Sequence, residues 1–500
     1  MERTVIGVDI GTTAVKAVLV SSEGYIIDEV REAHDLISLK PGWAEENAAD
    51  WWCNTIAALR KLKEHSPDLF SRVECVGITG MLPAIVMLDE AGEPVRNTIQ
   101  QNDARSVEQI RFITERLDQE ELFRLTGGYT NQQHILPRMM WVRDNEPDVF
   151  ARMRWVMGSY DYIVYKLTGV RSIEMNWAVE SGLFDIRKQV WLTDMMEQFG
   201  FDPSWFPQVN PSMSIIGAIT AEASALCGLK EGTAVIAGSA DHVASTLSAG
   251  IINEGDLLIK FGGGGDILYC TEEIVTCPQL FFDYHIVPDR WLINGCMAAS
   301  GSLVKWYLGD ILDNYSGDSL KELDREASLL PPASDGLIVL PYFLGEKTPI
   351  FDPEARGMLF GLTLSHTKAH IFRAILESVI YGFRHHIDII RDLGYEPAHI
   401  IATNGGSRSS FWCQIAADVL DQEIKAYPSH PGSALGTAFL AGMASGAFTS
   451  WDQIHLFLQD CRIYTPDPDA VKIYRKSYEI YRKLYLQTKD SCRDIAALYQ

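Results

Sequence analysis

A glycine-rich turn between two apolar β-type runs occurs twice in this chain, and that duplication constrains the fold more than any other feature. The first copy is Val5-Ile6-Gly7-Val8-Asp9-Ile10-Gly11-Thr12-Thr13-Ala14-Val15-Lys16. The second is Leu257-Leu258-Ile259-Lys260-Phe261-Gly262-Gly263-Gly264-Gly265-Asp266-Ile267-Leu268. Each reads as strand, tight turn, strand, because glycine tolerates the backbone angles that a turn demands. Such turns aim N–H groups at an anion, and the missing side chains let a phosphate come close. Neither is a Walker turn, which needs G-x-x-x-x-G-K-[ST] opening a helix. Lys16 falls instead inside a second β-run that ends at Glu23-Gly24, ahead of a third run at Tyr25-Ile26-Ile27. One such hairpin alone fits a plain structural turn. The pair points to a nucleoside triphosphate held by both.

At 500 residues the chain is too long for one hydrophobic core, so two or more domains are expected. The formal net charge of -23 disfavours nonspecific binding to nucleic acid or to an anionic membrane. An anionic ligand must then be gripped by local backbone donors and a metal. The cysteines are Cys53, Cys75, Cys227, Cys270, Cys277, Cys296, Cys413, Cys461 and Cys492, an odd set without a C-x-x-C pair. Free thiols in a reducing compartment fit this usage. The N-terminus enters a β-run without a basic-then-apolar leader, and no apolar run reaches the ~18 residues of a membrane span. The expectation is a soluble cytoplasmic protein, with a homodimer left open.

Residues 1–247 read as a first α/β unit, with strands at Val5–Ile10, Ala14–Val20, Val76–Thr79 and Ile85–Leu88 and helices near Ala48–Lys63, Val107–Leu117 and Arg138–Val142. Residues 251–445 repeat the plan, alternating helices (His370–Leu393, Phe411–Leu420, Ala434–Ala444) with strands (Leu337–Leu340, Ile400–Ala402, Ile424–Ala426). Alternation of this kind argues for α/β layers. Residues 446–500 form a helical extension, where Tyr474, Tyr478, Tyr481 and Tyr485 recur at helical spacing among basic residues. Such a stripe fits a helix laid on the body better than a partner-binding helix.

Three further segments join strands to helices with small residues. Asp241 follows an apolar strand within Gly238-Ser239-Ala240-Asp241-His242, where a carboxylate is placed either to abstract a proton or to cap a helix. Asn404-Gly405-Gly406-Ser407 would let a base or ribose approach the backbone, or is a simple turn. Gly295-Cys296-Met297-Ala298-Ala299-Ser300-Gly301 borders a nucleotide or allows close helix packing.

Together these segments resemble the FGGY carbohydrate kinases over nearly the whole chain. Asp9-Ile10-Gly11-Thr12-Thr13 matches that family's first phosphate turn, and Pro41-Gly42-Trp43-Ala44-Glu45-Glu46 with Trp51-Trp52 its early segment. Asn102-Asp103-Ala104-Arg105 resembles its sugar-side motif. Leu340 to Pro349 with Asp352-Pro353, then Gly357-Met358-Leu359-Phe360-Gly361-Leu362 followed by His370 to Glu377, and Trp412 to Val419 resemble its C-terminal pattern. The resemblance implies two actin-like (ribonuclease H-like) α/β ATPase domains related by duplication, with a cleft between them that takes ATP. It implies a sugar or polyol kinase using ATP and Mg²⁺. Asp241 would be the general base and Asp9 would lie near the magnesium. Gly11, Thr12, Thr13 and Lys16 with Gly262, Gly263, Gly264 and Gly301 would surround the phosphates, and Gly405 and Gly406 the adenosine.

The nearest subgroup is similar to the xylulose kinases, with departures. Gly80-Met81-Leu82-Pro83 stands where that subgroup has Gln-Met-His-Gly, Asp241-His242 where it has Asp-Asn, and Gln101-Asn102-Asp103 where it has Trp-Asn-Asp. Met81, Leu82, Asp103, Asp241 and His242 are the expected substrate pocket, and Leu82 and His242 the expected source of a changed preference, since an unmade hydrogen bond is costly. Four glycines replace Gly-Thr-Ser-Gly in the second turn. Either that turn works through N–H groups alone or phosphate binding is weakened, and Asp266 either repels phosphate or helps hold the metal. A competing class, a catalytically weak sugar- or nucleotide-responsive binding protein, is supported only by this altered turn. A chaperone-like ATPase finds no support in the motifs after residue 330.

Overall fold

The computed structural model describes residues 2–430 and 432–498, in two compact units. One unit comprises residues up to Ile252 with Phe282–Arg290 and the segment ending at Phe457; the other comprises Asn253–Phe281, Trp291–His430 and the chain after Leu458.

In the first unit, β1 (Thr4–Ile10), β2 (Ala14–Ser21) and β3 (Tyr25–Ala33) form an antiparallel meander. β1 also pairs in parallel with β4 (Val73–Gly80). The sheet continues through β5 (Ile215–Ala218) and β6 (Ala234–Ile236), in the order β5-β6-β4-β1-β2-β3, and a short β7 (Ser239–Ala240) also pairs with β4. β1 and β2 are almost wholly buried Val, Ile, Leu and Ala, as strands covered on both faces must be. Helix α1 (Ala48–His65) begins where the Asn47 side chain caps the Ala49 N–H, and α2 (Ile135–Asn145) and α3 (Ser159–Thr168) follow in the same unit.

In the second unit, β8 (Asp256–Phe261), β9 (Gly265–Thr271), β10 (Trp291–Met297), β11 (His399–Thr403), β12 (Ile424–Ala426) and β13 (Arg462–Tyr464) lie in the order β10-β9-β8-β11-β12-β13. The hairpin plus a parallel neighbour repeats the arrangement of β1, β2 and β4. Against this sheet pack α6 (Lys368–Asp392) and α7 (Ser410–Leu420); ahead of them α4 (Asp241–Ser248) of the first unit and α5 (Gly301–Trp306) follow strands. α8 (Ser433–Ser445) belongs to the first unit.

α9 (Pro468–Ala497) lies on the second unit, with Tyr474, Tyr478 and Tyr481 buried. The Tyr474 hydroxyl donates to Glu377 at 2.8 Å, Tyr478 to Asp388 at 2.6 Å and Tyr485 to Asp352 at 2.8 Å. The tyrosine stripe is therefore a packing face, held by a polar contact at each ring's tip. All nine cysteines are free thiols. Among the described residues no helix is long and apolar enough to cross a membrane.

Candidate active site

The parallel core of the first sheet decides which residues meet. Asp9 is level with Thr79 on β4, which is level with Ser239 on β7; Ile10 is level with Gly80, and Gly80 with Ala240. The chain leaves these three adjacent strands at Gly11, Met81 and Asp241. Three sequence-distant turns thus emerge at one sheet edge, the carboxyl ends of parallel strands, where ligands of open α/β sheets bind.

Each turn is fixed by its own bonds. Gly11 N–H donates to Ala14 O at 3.1 Å and closes the first hairpin, with Thr12 half-buried and Thr13 exposed. Lys16 stands directly across from Asp9 on β2 and pairs with Glu29 at 3.0 Å. The Ser433 hydroxyl at the start of α8 donates to Asp9 Oδ2 at 2.6 Å. Ser433 comes that close because Gly7 and Gly77 put no side chain between the strands and α8. A Cβ built on Gly7 would be 2.0 Å from Ala434 O, and one on Gly77 would be 2.4 Å from Thr437 O.

Met81 and Leu82 are buried. Met81 N–H donates to Ile10 O at 3.1 Å, and Ser159 donates to Met81 O at 2.7 Å. Arg138, fully buried, donates to Pro83 O, to Gln101 O at 3.1 Å and to Gln132 O at 3.0 Å. Burial pulls its guanidinium down to about 10, still charged at neutral pH. One cation therefore ties the turn after β4 to the segment before Asp103. Asp103 is fully buried: Ala44 N–H donates to its Oδ2 at 2.7 Å, and Arg105 reaches both oxygens, at 2.8 Å and 2.7 Å. Arg105 also pairs with Glu45 at 2.6 Å and lies 3.9 Å above the Trp43 ring. The early tryptophan segment and the Asn-Asp-Ala-Arg motif thus form one clamp, with both Asp103 oxygens serving protein donors.

Asp241 opens α4, and its side chain is 38% exposed. The helix N-terminus favours a carboxylate there. His242 N–H donates to Asp241 Oδ1 at 2.6 Å, and His242 Nδ1 lies 3.5 Å from the same oxygen. The opposite ring nitrogen, Nε2, is 3.1 Å from Oδ2 of the fully buried Asp283. Burial works against charge on His242, but the Asp283 carboxylate, with the Asp241 carboxylate beside it, holds the imidazole well above the usual histidine range.

In the second unit, the turn Gly262–Gly265 is braced from one side. Gly301 N–H donates to Gly262 O at 2.8 Å, and Ser300 and Ser302 N–H donate to Gly263 O at 2.8 and 3.1 Å. In a trans peptide C=O and N–H point oppositely. The N–H groups of Gly263 and Gly264 therefore face away from α5, as an anion site requires. Lys260 and Asp266 are cross-strand partners below the turn, 3.0 Å apart, so the Asp266 charge is balanced locally. Gly405 begins a short turn before α7 and faces open space, whereas a Cβ on Gly406 would strike Phe261 at 2.5 Å and Trp412 at 2.6 Å.

Sequence reasoning missed Ser433, Arg138, Asp283 and Glu346. Glu346 Oε1 accepts from Ala298 N–H at 2.6 Å and Lys347 N–H at 2.9 Å, and burial raises its carboxyl to about 8. Ser433, after Pro-Gly, carried a helix-start signal; the others act across long sequence separations and carried none. Among the described residues no three His, Cys, Asp or Glu side chains cluster to hold a metal. Asp9 with one hydroxyl neighbour suits a magnesium ion that brings phosphate and water ligands of its own.

Comparison with known proteins decides what this edge belongs to. Residues 4–248 match the N-terminal domain, and 275–445 the C-terminal domain, of the FGGY family of carbohydrate kinases. The chain belongs to this family. The xylulose kinase of Bacillus subtilis (strain 168) is 30% identical over 491 residues, 98% of each chain. The gluconokinase of Bacillus licheniformis is 26% identical over 513 residues, 99% of this chain and 98% of the relative. The crystal structure of xylulose kinase from Rhodospirillum rubrum superposes with a TM-score of 0.93 at 39% identity, covering 98% of this chain and 100% of that one. As a xylulose-kinase-like FGGY member, this chain is an ATP-dependent carbohydrate or polyol kinase with duplicated actin-like, ribonuclease H-like domains.

Proposed function

We propose that Asp241 is the general base of this kinase and that its acceptor is a neutral ketose or polyol. The observation that carries this reading is the placement of Asp9, Met81 and Asp241 at the ends of three adjacent parallel strands. Asp241 takes the proton of the substrate hydroxyl as that oxygen bonds to the γ-phosphoryl group and the bond to the β-phosphate oxygen breaks. Phosphoryl transfer asks mainly for positioning and charge stabilisation. In the second unit the outward N–H groups of Gly263 and Gly264 suit phosphate, and in the first unit the Gly11–Thr13 turn does. Asp9, oriented by Ser433, would hold the Mg²⁺ of the nucleotide, which neutralises phosphate charge when bound. Gly405, open on its Cβ side, suits contact with the adenosine.

The charges argue for a neutral acceptor. His242 is balanced by Asp283, Arg105 by Asp103 and Glu45, and Arg138 is spent on backbone carbonyls. A sugar-acid carboxylate would meet the net negative pair of Asp241 and Asp283 around one imidazolium. The buried Leu82 offers no hydrogen bond, so the preferred acceptor differs from xylulose where histidine would reach.

The test is Asp241→Asn, assayed by coupled ADP release over ketoses, aldoses, polyols and aldonates. The amide keeps shape but accepts no proton, and a general base contributes roughly 10²–10⁴-fold. We expect that loss in kcat with ATP binding retained. Near-normal turnover refutes the base; aldonate as the best acceptor refutes the neutral substrate, and xylulose as the best refutes the changed preference.

A further inference from the structure

We propose that Asp283 is a positioning residue of the phosphoryl transfer, acting through His242 to fix the carboxylate of Asp241; this rests on the reading of Asp241 as the base. His242 Nε2 lies 3.1 Å from Asp283 Oδ2 at ion-pair distance, without the alignment of a hydrogen bond; a bare lone pair would be repelled by that carboxylate, so Nε2 carries a hydrogen. In a neutral ring the other nitrogen, Nδ1, would then present a lone pair to Asp241 Oδ1, 3.5 Å away, and repel it. Only the doubly protonated ring carries a hydrogen, rather than a lone pair, on the nitrogen beside each acid. The backbone N–H of His242 donates to Oδ1 at 2.6 Å and the charged ring stands 3.5 Å from the same oxygen, so Oδ1 is drawn to the imidazolium side and Oδ2 is left for the substrate proton.

The surroundings support a lasting imidazolium. Asp283 lies in the segment Phe282–Arg290, which crosses back to the first unit and is pinned there. Tyr284 N–H donates to Asn176 Oδ1 at 2.8 Å, Asn176 donates to Tyr284 O at 3.0 Å, and His285 Nε2 is 2.9 Å from Ile251 O. The charged groups facing His242 are Asp241 on its own helix and Asp283 on this segment. Of the other elements against α4, α8 has no titratable side chain, and β7 has none. The Glu74 and Cys75 side chains of β4 lie at its far end, and Asp452 and His455 of the turn Trp451–Phe457 are exposed. Tyr160, close enough to feel the Asp241 charge, donates to Glu174 at 2.8 Å. Two carboxylates thus bracket one largely buried ring, whose side chain is 14% exposed, and partial burial alone is set against them.

The experiment is ¹⁵N NMR of histidine-labelled protein, with the His242 signal assigned by its loss in His242→Asn, together with kcat profiles of Asp283→Asn from pH 5.5 to 8.5. In the unmodified protein His242 should be doubly protonated at pH 8. In D283N it should be neutral at pH 8, with kcat down on the order of 10–100-fold, the scale of a lost orienting partner. The KM for ATP should stay within about 3-fold, and the deficit should shrink as pH falls and the ring recharges. In H242N the added D283N change should have no further effect on kcat. A neutral His242 at pH 8 in the unmodified protein overturns the proposal, and so does a D283N deficit equal at pH 5.5 and 8.5, which a merely structural role would give. Should D283N fail to fold, the titration of the unmodified protein decides. An active D241N would overturn the base assignment itself; an inactive D241N beside a fully active D283N overturns this inference alone.

Discussion

Gly7→Ala is the sharpest test of how packing builds the Asp9 site. Gly7 lies mid-strand in β1, two residues before Asp9. The added Cβ would fall 2.0 Å from Ala434 O, 2.7 Å from Ala438 N and 2.9 Å from the Ala438 Cβ, all on α8. These are backbone or Cβ atoms that no rotamer change can move. Ordinary contact starts at 3.4 Å, so the helix must retreat by about 1.4 Å. That shift would carry Ser433 from 2.6 Å to about 4 Å from Asp9 and break their hydrogen bond. Overpacking costs about 1–3 kcal/mol and a lost bond to a charged group about 1.5–3 kcal/mol, together about 3–6 kcal/mol. For a unit of this size that corresponds to a fall in Tm of roughly 5–15 °C. Since two units need not melt as one transition, Tm is compared between variants rather than converted to a free energy. Calorimetry and ADP-release kinetics are the assays, with Ser433→Ala and Gly263→Ala as companions. S433A loses the bond without the overlap, so its Tm should fall less while its kcat/KM for ATP falls about as far, roughly 10-fold or more. G263A adds a Cβ with nothing within 4 Å and should melt like the unmodified protein. A G7A protein that melts within about 2 °C of the unmodified one, with unchanged kinetics, refutes this account of α8.

Two other expectations follow from single contacts. Gly263→Thr should fold normally and lower the KM for ATP about 5-fold by adding one hydrogen-bond donor, whereas Gly264→Ala should raise it, because a Cβ there would lie 2.8 Å from Met297 O; calorimetric titration with ATP separates the two. Glu346 is raised to about 8 when folded against about 4.3 unfolded, so its contribution to stability is present in full below pH 4.3 and is lost as pH rises through 8. Glu346→Gln, whose amide oxygen can still accept from Ala298 and Lys347, should therefore raise Tm relative to the unmodified protein at pH 9 and not at pH 4.

The hairpins were legible because they are local. Gly11 and Gly262–Gly264 announce turns, and alternating β-type runs announce the strands beside them. Strands expected at Val5–Ile10, Ala14–Val20 and Val76–Thr79 are observed at Thr4–Ile10, Ala14–Ser21 and Val73–Gly80. The third run, read as Tyr25-Ile26-Ile27, extends to Ala33, because pairing with β2 carries it through Asp28, Glu29 and Glu32, whose polarity hid the strand. The helix expected over Arg138–Val142 spans Ile135–Asn145 and includes Pro137 in its first turn, where a missing N–H costs nothing. What the sequence concealed is what depends on distant partners. Asp103 carries Ala44 and Arg105 on its oxygens, and the Ala44 contact spans 59 positions that no local signal bridges. His242 has Asp283, 41 positions away, beside its far nitrogen, a neighbour that nothing near either residue announces.

A chain with a net charge of -23 has to bind a nucleoside triphosphate against its own field. The second turn shows how that is arranged without a surplus cation. Its carbonyl dipoles are spent on the first N–H groups of α5, at 2.8 to 3.1 Å, so the opposed N–H groups of Gly263 and Gly264 are aimed at one side by bonds that exist before any ligand arrives. Lys260 and Asp266 cancel each other 3.0 Å apart beneath it, so that pair adds no net charge. Replacing hydroxyls by glycine therefore removes side-chain donors while leaving the oriented peptides, and the entropy that glycine loses on ordering is already met by the bracing from Ser300, Gly301 and Ser302. The altered turn is for this reason a weak ground for reading the protein as a spent kinase: the feature that sets it apart in sequence is the one that the fold holds ready.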